Sequence, residues 1–97
     1  MSQLLLLLVQ YTMKPGTRQA FVDEMNASGI LQKIREEEGY VSYNYYFDVA
    51  EADKLLLVEE WASEDKQQNH LKTAHMNAFK QIKEKYVLST SVEKLTK

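Results

Sequence analysis

The feature that most limits the possible folds is an unbroken apolar run at residues 4–9. This run is far shorter than the roughly 18–20 apolar residues that a membrane-spanning helix needs. Lys-Pro-Gly follows at residues 14–16, and its Pro-Gly pair suits the central positions of a type II turn. We therefore predict a strand from Gln3 to Thr12 that is apolar on both faces. Residues 55–58 have the same two-sided character.

The segment after this turn has the pattern of a helix. Thr17 fits its N-cap, and Gly29 is a weak point inside it. The three glutamates at residues 36–38 oppose the dipole at its carboxyl end, so we expect the helix to end near Arg35. Gly39 then closes the turn into the next strand.

Two consecutive strands are predicted in the middle of the chain. Residues 40–47 alternate as an aromatic strand, with Tyr43 and Tyr45 on one face and Asn44 on the other. The sequence leaves open which of these faces meets the helices. A polar loop then leads into a strand over residues 54–61.

A second helix and a last strand complete the chain. Ser63 fits the N-cap of the helix, whose first turn carries two acids. Its predicted apolar stripe consists of Leu71, Ala74, Ala78 and Ile82. The last strand is predicted from Tyr86 to about Leu95.

The resulting order, β-α-β-β-α-β, predicts one α+β domain over residues 1–97 with the ferredoxin-like split fold. In that fold, four antiparallel strands carry both helices on one face of the sheet. Because these strands are apolar on both sides, the sheet has a second apolar face, which a short chain cannot easily leave exposed to solvent. We therefore predict a homodimer whose subunits pack through their open sheet faces.

Composition excludes several functional classes. The net charge of −2 comes from 12 basic and 14 acidic residues that are well mixed, so we expect no nucleic-acid binding. The chain has no cysteine, which rules out disulfides, thiolate metal sites and thiol nucleophiles. The apolar run lacks the cationic flank and cleavage site of a signal peptide. We therefore expect a cytoplasmic protein that does not enter membranes.

Side chains that can carry chemistry are concentrated in one strand-helix unit. Glu59 and the only tryptophan, Trp61, end a strand, and both histidines, His70 and His75, follow in the next helical region. On an unbroken helix the two histidines would point about 140° apart, but a break capped by Thr73 would let them approach. Each of these residues could instead have a structural role. Trp61 could pack in the core, Glu59 could be a buried acid whose hydrogen bonds are satisfied, and the two histidines could brace the helix.

Four segments carry a resemblance to a known family. They are Lys14-Pro15-Gly16, Glu38-Gly39 leading to Tyr43, Glu59-Glu60-Trp61, and the ten residues from His70 to Phe79. In this order and spacing the sequence resembles the antibiotic biosynthesis monooxygenase family, and within it the small quinol monooxygenase-type proteins. The resemblance implies a dimeric α+β barrel. It also implies, as in characterised members, oxygenation of electron-rich hydroxylated aromatics by dioxygen without metal, flavin or haem.

Residues and resemblance together predict a cofactor-independent monooxygenase that acts on a quinol or similar planar aromatic. Because dioxygen is a triplet, a phenol must first become an anion, which requires a base and a dry pocket. We expect His70 or His75 as the base and Glu59 as the acid that orients it. The predicted substrate-binding residues are Trp61, as an aromatic wall, with Tyr43, Asn44 and Tyr45.

Other functions stay open at this level. Glu59, His70 and His75 contain the donors of a two-histidine, one-carboxylate iron site, but their spacing matches no common metal-binding motif, and we expect no metal. One branch with this fold isomerises small keto-sugar phosphates, although no Gly-rich phosphate cradle is visible here. A non-catalytic module that binds small aromatics is the third possibility.

Overall fold

A four-stranded antiparallel sheet with helices on one face forms the frame of the protein in a computed structural model, which describes residues 4–96. The elements in chain order are β1 (Leu5–Met13), α1 (Arg18–Ser28), α2 (Ile30–Arg35), β2 (Tyr40–Phe47), β3 (Lys54–Trp61), α3 (Glu64–Leu71), α4 (Ala74–Tyr86) and β4 (Val87–Thr96). The strand order is β2-β3-β1-β4. The predicted ferredoxin-like α+β fold is thus confirmed. Gln3, the predicted start of the first strand, lies outside the described residues.

The first predicted helix is two helices, because Gly29 interrupts it. Gly29 has a φ of +81°, in the left-handed region that favours glycine, and it ends α1 and precedes α2. Thr17 does precede α1, but its side chain does not cap the helix. Its hydroxyl instead donates to the Lys14 carbonyl at 2.7 Å, so this part of the prediction is wrong.

The second predicted helix is also divided, between α3 and α4. The Ser63 hydroxyl accepts from the Lys66 amide and caps α3, as predicted. The Thr73 hydroxyl accepts a hydrogen bond from the Met76 amide and caps the start of α4. The helix break at Thr73, which the sequence suggested as a possibility, is therefore present.

The break changes which residues of this region are buried. Leu71 is 45% exposed, and Ala74 and Ala78 are also exposed. The buried stripe of α4 consists of Met76, Phe79 and Ile82. The predicted stripe is therefore wrong except at Ile82, because the new helix start at Thr73 shifts the helical phase.

The helix-facing side of the sheet forms the core. Alternate residues of β1 and β3 point to this side, and they are Leu5, Leu7, Val9, Tyr11, Met13, Leu55, Leu57, Glu59 and Trp61, all buried. Phe21 and Met25 of α1 and Ile34 of α2 pack against them without exposed surface. Tyr43 is the buried residue of β2, which assigns the Tyr43 face of that strand to the helices.

The opposite side of the sheet, called the open face below, carries no helix within the described range. Leu6, Leu8, Leu56 and Val58 are its central aliphatic residues, and each is only partly buried. Leu8 pairs with Val58 across β1 and β3, so the apolar side chains lie side by side. None of the helices among residues 4–96 is long and apolar enough to cross a membrane.

Candidate functional site

A cleft of about 300 Å³ lies between the sheet and helices α3 and α4. Its apolar lining includes Leu7, Val9, Met76, Phe79 and Val92, and its polar lining includes Tyr11, Tyr43, Glu59, His70, Lys83 and Lys94. Apolar walls with a few polar groups are typical of small-molecule sites. The cleft therefore meets the requirements of a binding site for a compact, partly polar ligand.

A second and larger depression, the outer groove, has a volume of about 630 Å³ and lies where α1 and α2 meet α4. Its lining includes His75 together with Glu24, Lys33, Gln81 and Lys85. Most of these side chains are exposed to solvent. We take the smaller cleft as the candidate active site, because it combines apolar walls with a buried acid and a buried imidazole.

His70 is fixed on three sides at the wall of the cleft. Its side chain is 1% exposed, and its Nδ1 lies 2.8 Å from Glu37 Oε2. The Trp61 ring packs on the imidazole at a centroid distance of 4.5 Å, tilted by 34°. The edge of Tyr43 meets it at 6.1 Å. These contacts leave Nε2 as the ring nitrogen that Glu37 does not contact.

Glu37 joins the two histidines. The same Oε2 atom lies 2.7 Å from His75 Nε2, so one carboxylate oxygen contacts one nitrogen of each imidazole. The Thr73 break places His70 at the end of α3 and His75 at the start of α4, and both rings thereby reach Glu37. The carboxylate in contact with the histidines is thus Glu37, where the sequence had suggested Glu59.

The turn after α2 explains why Glu37 points inward. The Glu37 amide donates to the Ile34 carbonyl at 3.1 Å, and its carbonyl accepts from the Tyr40 amide at 3.2 Å. Gly39 has a φ of +87°, and a Cβ there would lie 2.4 Å from the Lys66 Cγ. Glycine therefore allows the tight turn that holds Glu37 beneath the helices.

Nothing in the sequence distinguishes Glu37 from the acids beside it. The Glu37 side chain is only 12% exposed, whereas that of Glu38 is 84% exposed and pairs with Lys66. The difference arises from contacts with residues more than thirty positions away. Sequence reasoning treated the three glutamates as one helix-ending run, and it missed this residue for that reason.

Trp61 lies behind His70 and does not line the cleft. The indole has no exposed surface, and the Tyr40 ring meets it edge-on at 6.1 Å. We expected Trp61 to be a wall against the substrate; the structure places it as a support for the imidazole. Trp61 lies on the helix-covered side of β3, where alternate residues are buried, and this position explains the difference.

Glu59 accepts a hydrogen bond from the Trp61 indole Nε1 at 2.9 Å. Burial raises the pKa of the Glu59 carboxyl. The indole N–H and the nearby His70 act in the opposite direction, and the Glu37 charge raises it further. The predicted contact between Glu59 and a histidine is replaced by this bond to Trp61.

The tyrosines around Glu59 keep their protons near neutral pH. Burial raises the pKa of Tyr43 and of Tyr11 well above the ordinary value, and the neighbouring Tyr45 adds to both shifts. Burial also raises the pKa of Tyr45. Tyr43 and Tyr11 line the cleft, whereas Tyr45 is partly buried and packs against the core outside the cleft. The cleft thus has two neutral phenols on its sheet side.

Asn44 and His75 are separated from the cleft. Asn44 is exposed and lies on the strand face opposite to Tyr43, so it faces away from the helices. His75 lines the outer groove and reaches the cleft only through Glu37 and His70. Of the predicted site residues, the structure brings His70, Glu59 and Tyr43 together at the cleft.

One group of side chains among the described residues could hold a metal ion. It consists of Glu37, His70 and His75, whose ligand atoms lie within 4.8 Å of one another. Glu59 is not part of this group.

Comparisons with known proteins agree with this architecture. The family model described as "Antibiotic biosynthesis monooxygenase" matches residues 5–82. A Bacillus subtilis (strain 168) protein named "Putative monooxygenase YcnE" is 33% identical over 66 residues, which are 68% of this chain and 67% of that protein.

Solved structures extend the likeness to the whole fold. PA3566 from Pseudomonas aeruginosa matches with a TM-score of 0.86 at 24% identity, covering 100% of this chain and 96% of that one. A structure titled "Putative antibiotic biosynthesis monooxygenase from Nitrosomonas europaea" gives a TM-score of 0.83 at 12% identity, covering 100% and 90%. At these identities the structures show the fold alone.

Proposed function

This chain belongs to the antibiotic biosynthesis monooxygenase family, and on that premise we propose that it oxidises a quinol or similar planar hydroxylated aromatic with dioxygen. The reaction needs no metal, flavin or haem, because the substrate itself becomes the electron donor once it is deprotonated. The observation that carries the proposal is a buried, carboxylate-paired imidazole at the wall of an apolar cleft.

The size and walls of the cleft support a small aromatic substrate. A volume of about 300 Å³ is at the lower end of ligand pockets and suits one or two fused rings better than a large polycycle. Leu7, Val9 and Phe79 supply apolar surface against the ring faces. Such walls exclude water, which strengthens every polar interaction inside.

His70 is the base in this proposal. With Nδ1 held by Glu37, its Nε2 atom takes the hydroxyl proton of the substrate. The Glu37 carboxylate then stabilises the imidazolium that forms, as the acid of a histidine–carboxylate dyad does. Trp61 and Tyr43 hold the ring in place and act as positioning residues.

The remaining steps balance without a cofactor. The substrate anion transfers an electron to dioxygen, and the two radicals combine to form a carbon–oxygen bond. The peroxide accepts the proton from His70 and loses water, so that a ring C–H becomes C=O and the second oxygen atom leaves as water. Lys83 and Lys94 line the cleft and stabilise the negative charge during these steps.

The test is oxygen uptake by chelator-treated protein with a panel of chemically reduced quinones. We expect uptake that depends on the protein and on the quinol, and that falls strongly in His70→Gln. Lys33→Gln, which alters only the outer groove, is the matched control and should behave as the parent does. If a quinol binds in the cleft but is consumed no faster than in buffer, the protein is a binding module and the oxygenase proposal fails.

We also propose that the open face pairs with a second copy of the chain. Leu6, Leu8, Leu56 and Val58 form its partly exposed aliphatic centre. Tyr46, Leu4 and Leu95 add exposed apolar surface, at 52%, 37% and 41% exposure. Covering such a face adds the burial that a chain of 97 residues lacks alone.

The association state tests this pairing directly. Leu8→Glu places a charge in the centre of the open face and should shift the protein from dimer to monomer in light scattering. Asn26→Glu makes the same charge change on an exposed position of α1 and should leave the dimer intact. A parent protein that is monomeric at micromolar concentration would contradict the proposal.

A further inference from the structure

Three metal-binding donors converge where α2, α3 and α4 meet. Glu37 follows α2, His70 lies in the last turn of α3 and His75 lies in the first turn of α4, so the donors come from three separate places in the chain. Glu37 Oε2 lies 2.8 Å from His70 Nδ1 and 2.7 Å from His75 Nε2. All three ligand atoms fall within 4.8 Å of one another. A cation that entered this space would meet three donors at once.

We infer that Glu37, His70 and His75 form a binding site for Zn²⁺ or a similar first-row divalent metal, and that the bound metal inhibits the enzyme. Two imidazole nitrogens and one carboxylate oxygen suit borderline cations, whereas Mg²⁺ and Ca²⁺ prefer oxygen alone. A three-residue set leaves one tetrahedral position for water.

Metal binding requires the three ligand atoms to rearrange. Zinc bonds of about 2.1 Å place tetrahedral ligand atoms roughly 3.4 Å apart, so each histidine nitrogen would withdraw from Glu37 Oε2 by about 0.6–0.7 Å. The two histidine nitrogens, which lie within 4.8 Å of each other, would approach by up to about 1.4 Å. His70 and His75 lie on either side of the Thr73 break, where two helices end and begin. We expect rotation of the two histidine side chains at this junction to supply the movement.

A cation can reach this site from the outer groove. His75 lines that groove, and its side chain is 13% exposed. Glu37 is 12% exposed, while His70 at 1% is closed to solvent. The water-filled position of the metal would therefore face the outer groove, away from the cleft.

The local charge favours a cation. Glu59 lines the cleft with His70 and interacts electrostatically with both His70 and Glu37, so a second carboxyl group lies near the site. Lys33 and Lys85, which line the outer groove, are opposing positive charges, and Lys85 is paired with Glu24. Removing the Lys33 charge should therefore strengthen metal binding slightly.

Inhibition follows from the chemistry of the imidazole and rests on the proposed function. A neutral histidine carries one ring proton, and a metal on His70 Nδ1 requires that proton to sit on Nε2. Nε2 is the atom that accepts the substrate proton in the proposed reaction. With its lone pair occupied, His70 can no longer act as a base.

The experiment is a zinc titration of chelator-treated protein against a chromophoric indicator, with matched variants. We expect one zinc ion per chain. Glu37→Gln and His75→Gln, each of which keeps a polar side chain of similar reach, should weaken affinity by at least about 100-fold, more than loss of an outer-shell partner does. Lys33→Gln should bind at least as well as the parent. X-ray absorption at the zinc edge should show nitrogen and oxygen neighbours only.

Two results would overturn the inference: affinity that survives both ligand variants, or zinc that raises turnover. Inhibition is measured by titrating the turnover of the protein with zinc. The midpoint of inhibition should coincide with the midpoint of binding, and added chelator should restore turnover. Binding is measured without substrate, so a protein that binds zinc but oxidises no quinol would contradict the proposed oxygenase and leave the metal site standing.

Discussion

His70 and His75 contact the same carboxylate oxygen, but the regions around the two rings differ. His70 is closed to solvent, packs on Trp61 and lines an apolar cleft. His75 is partly exposed and lines a groove with charged, solvated walls. The imidazoles are chemically identical, so their roles depend on surroundings that the fold supplies. The inner region can exclude water from a reaction, and the outer region cannot.

The largest expected effect comes from replacing the two histidines separately. His70→Gln should lower turnover of a quinol by about 10²–10⁴-fold, the usual contribution of general-base catalysis. His75→Gln keeps an N–H that can donate to Glu37, so it should cost much less. Steady-state oxygen uptake, with circular dichroism as the folding check, measures both. Equal losses in the two variants would remove the distinction between the inner and the outer region.

A second prediction concerns the buried acid of the inner region. Burial raises the folded-state pKa of Glu59 above its ordinary value of 4.5, so the folded protein holds this proton more tightly than the unfolded chain. The parent should therefore lose stability relative to Glu59→Gln as pH rises from the unfolded-state pKa to the folded-state pKa, by about 1.4 kcal/mol for each pH unit between them. Below the unfolded-state pKa, the two proteins should converge.

Denaturant unfolding from acidic to neutral pH measures this difference. Glutamine retains an acceptor for the Trp61 N–H, which isolates the effect of charge. Glu36→Gln, at an exposed position, is the matched control and should show no such divergence. A stability difference that does not change with pH would mean that burial does not act on the Glu59 charge.

The smallest expected effect concerns the helix break itself. Thr73→Ala and Ser63→Ala each remove one N-cap and should each cost about 1 kcal/mol in unfolding free energy. Only Thr73 fixes the joint between the two histidines, so only its loss should also reduce turnover. If Ser63→Ala reduced turnover equally, the Thr73 break would have no special part in the site.

Much of the fold follows from local patterns in the sequence. The strands at residues 40–47 and 54–61 were predicted with the bounds that the structure has, because their alternation and flanking turns are local signals. The helix breaks depended on a glycine in the left-handed region and on a threonine cap, which the sequence marks only as weak points. The predicted buried stripe of α4 was wrong because the helix starts at that threonine cap, which changes the residues that face the core.

The candidate site was harder to predict because it is made by long-range contacts. Glu37 is 33 residues from His70 and 38 from His75, and no spacing rule connects them. The sequence alone did not assign the faces of β2, because both sides of the strand carry tyrosines and either side could meet the helices. Trp61 contacts both His70 and Glu59, which the sequence had grouped with it. Its complete burial, however, depends on contacts such as that with Tyr40, which the sequence did not reveal.

The most direct test of the account is a crystal structure of the metal-free protein with a slowly reacting hydroxylated aromatic bound under nitrogen. We expect the ring in the cleft between Phe79 and the sheet, with one hydroxyl oxygen about 3 Å from His70 Nε2. A ring bound in the outer groove beside His75, or a cleft that stays closed to the ligand, would contradict it.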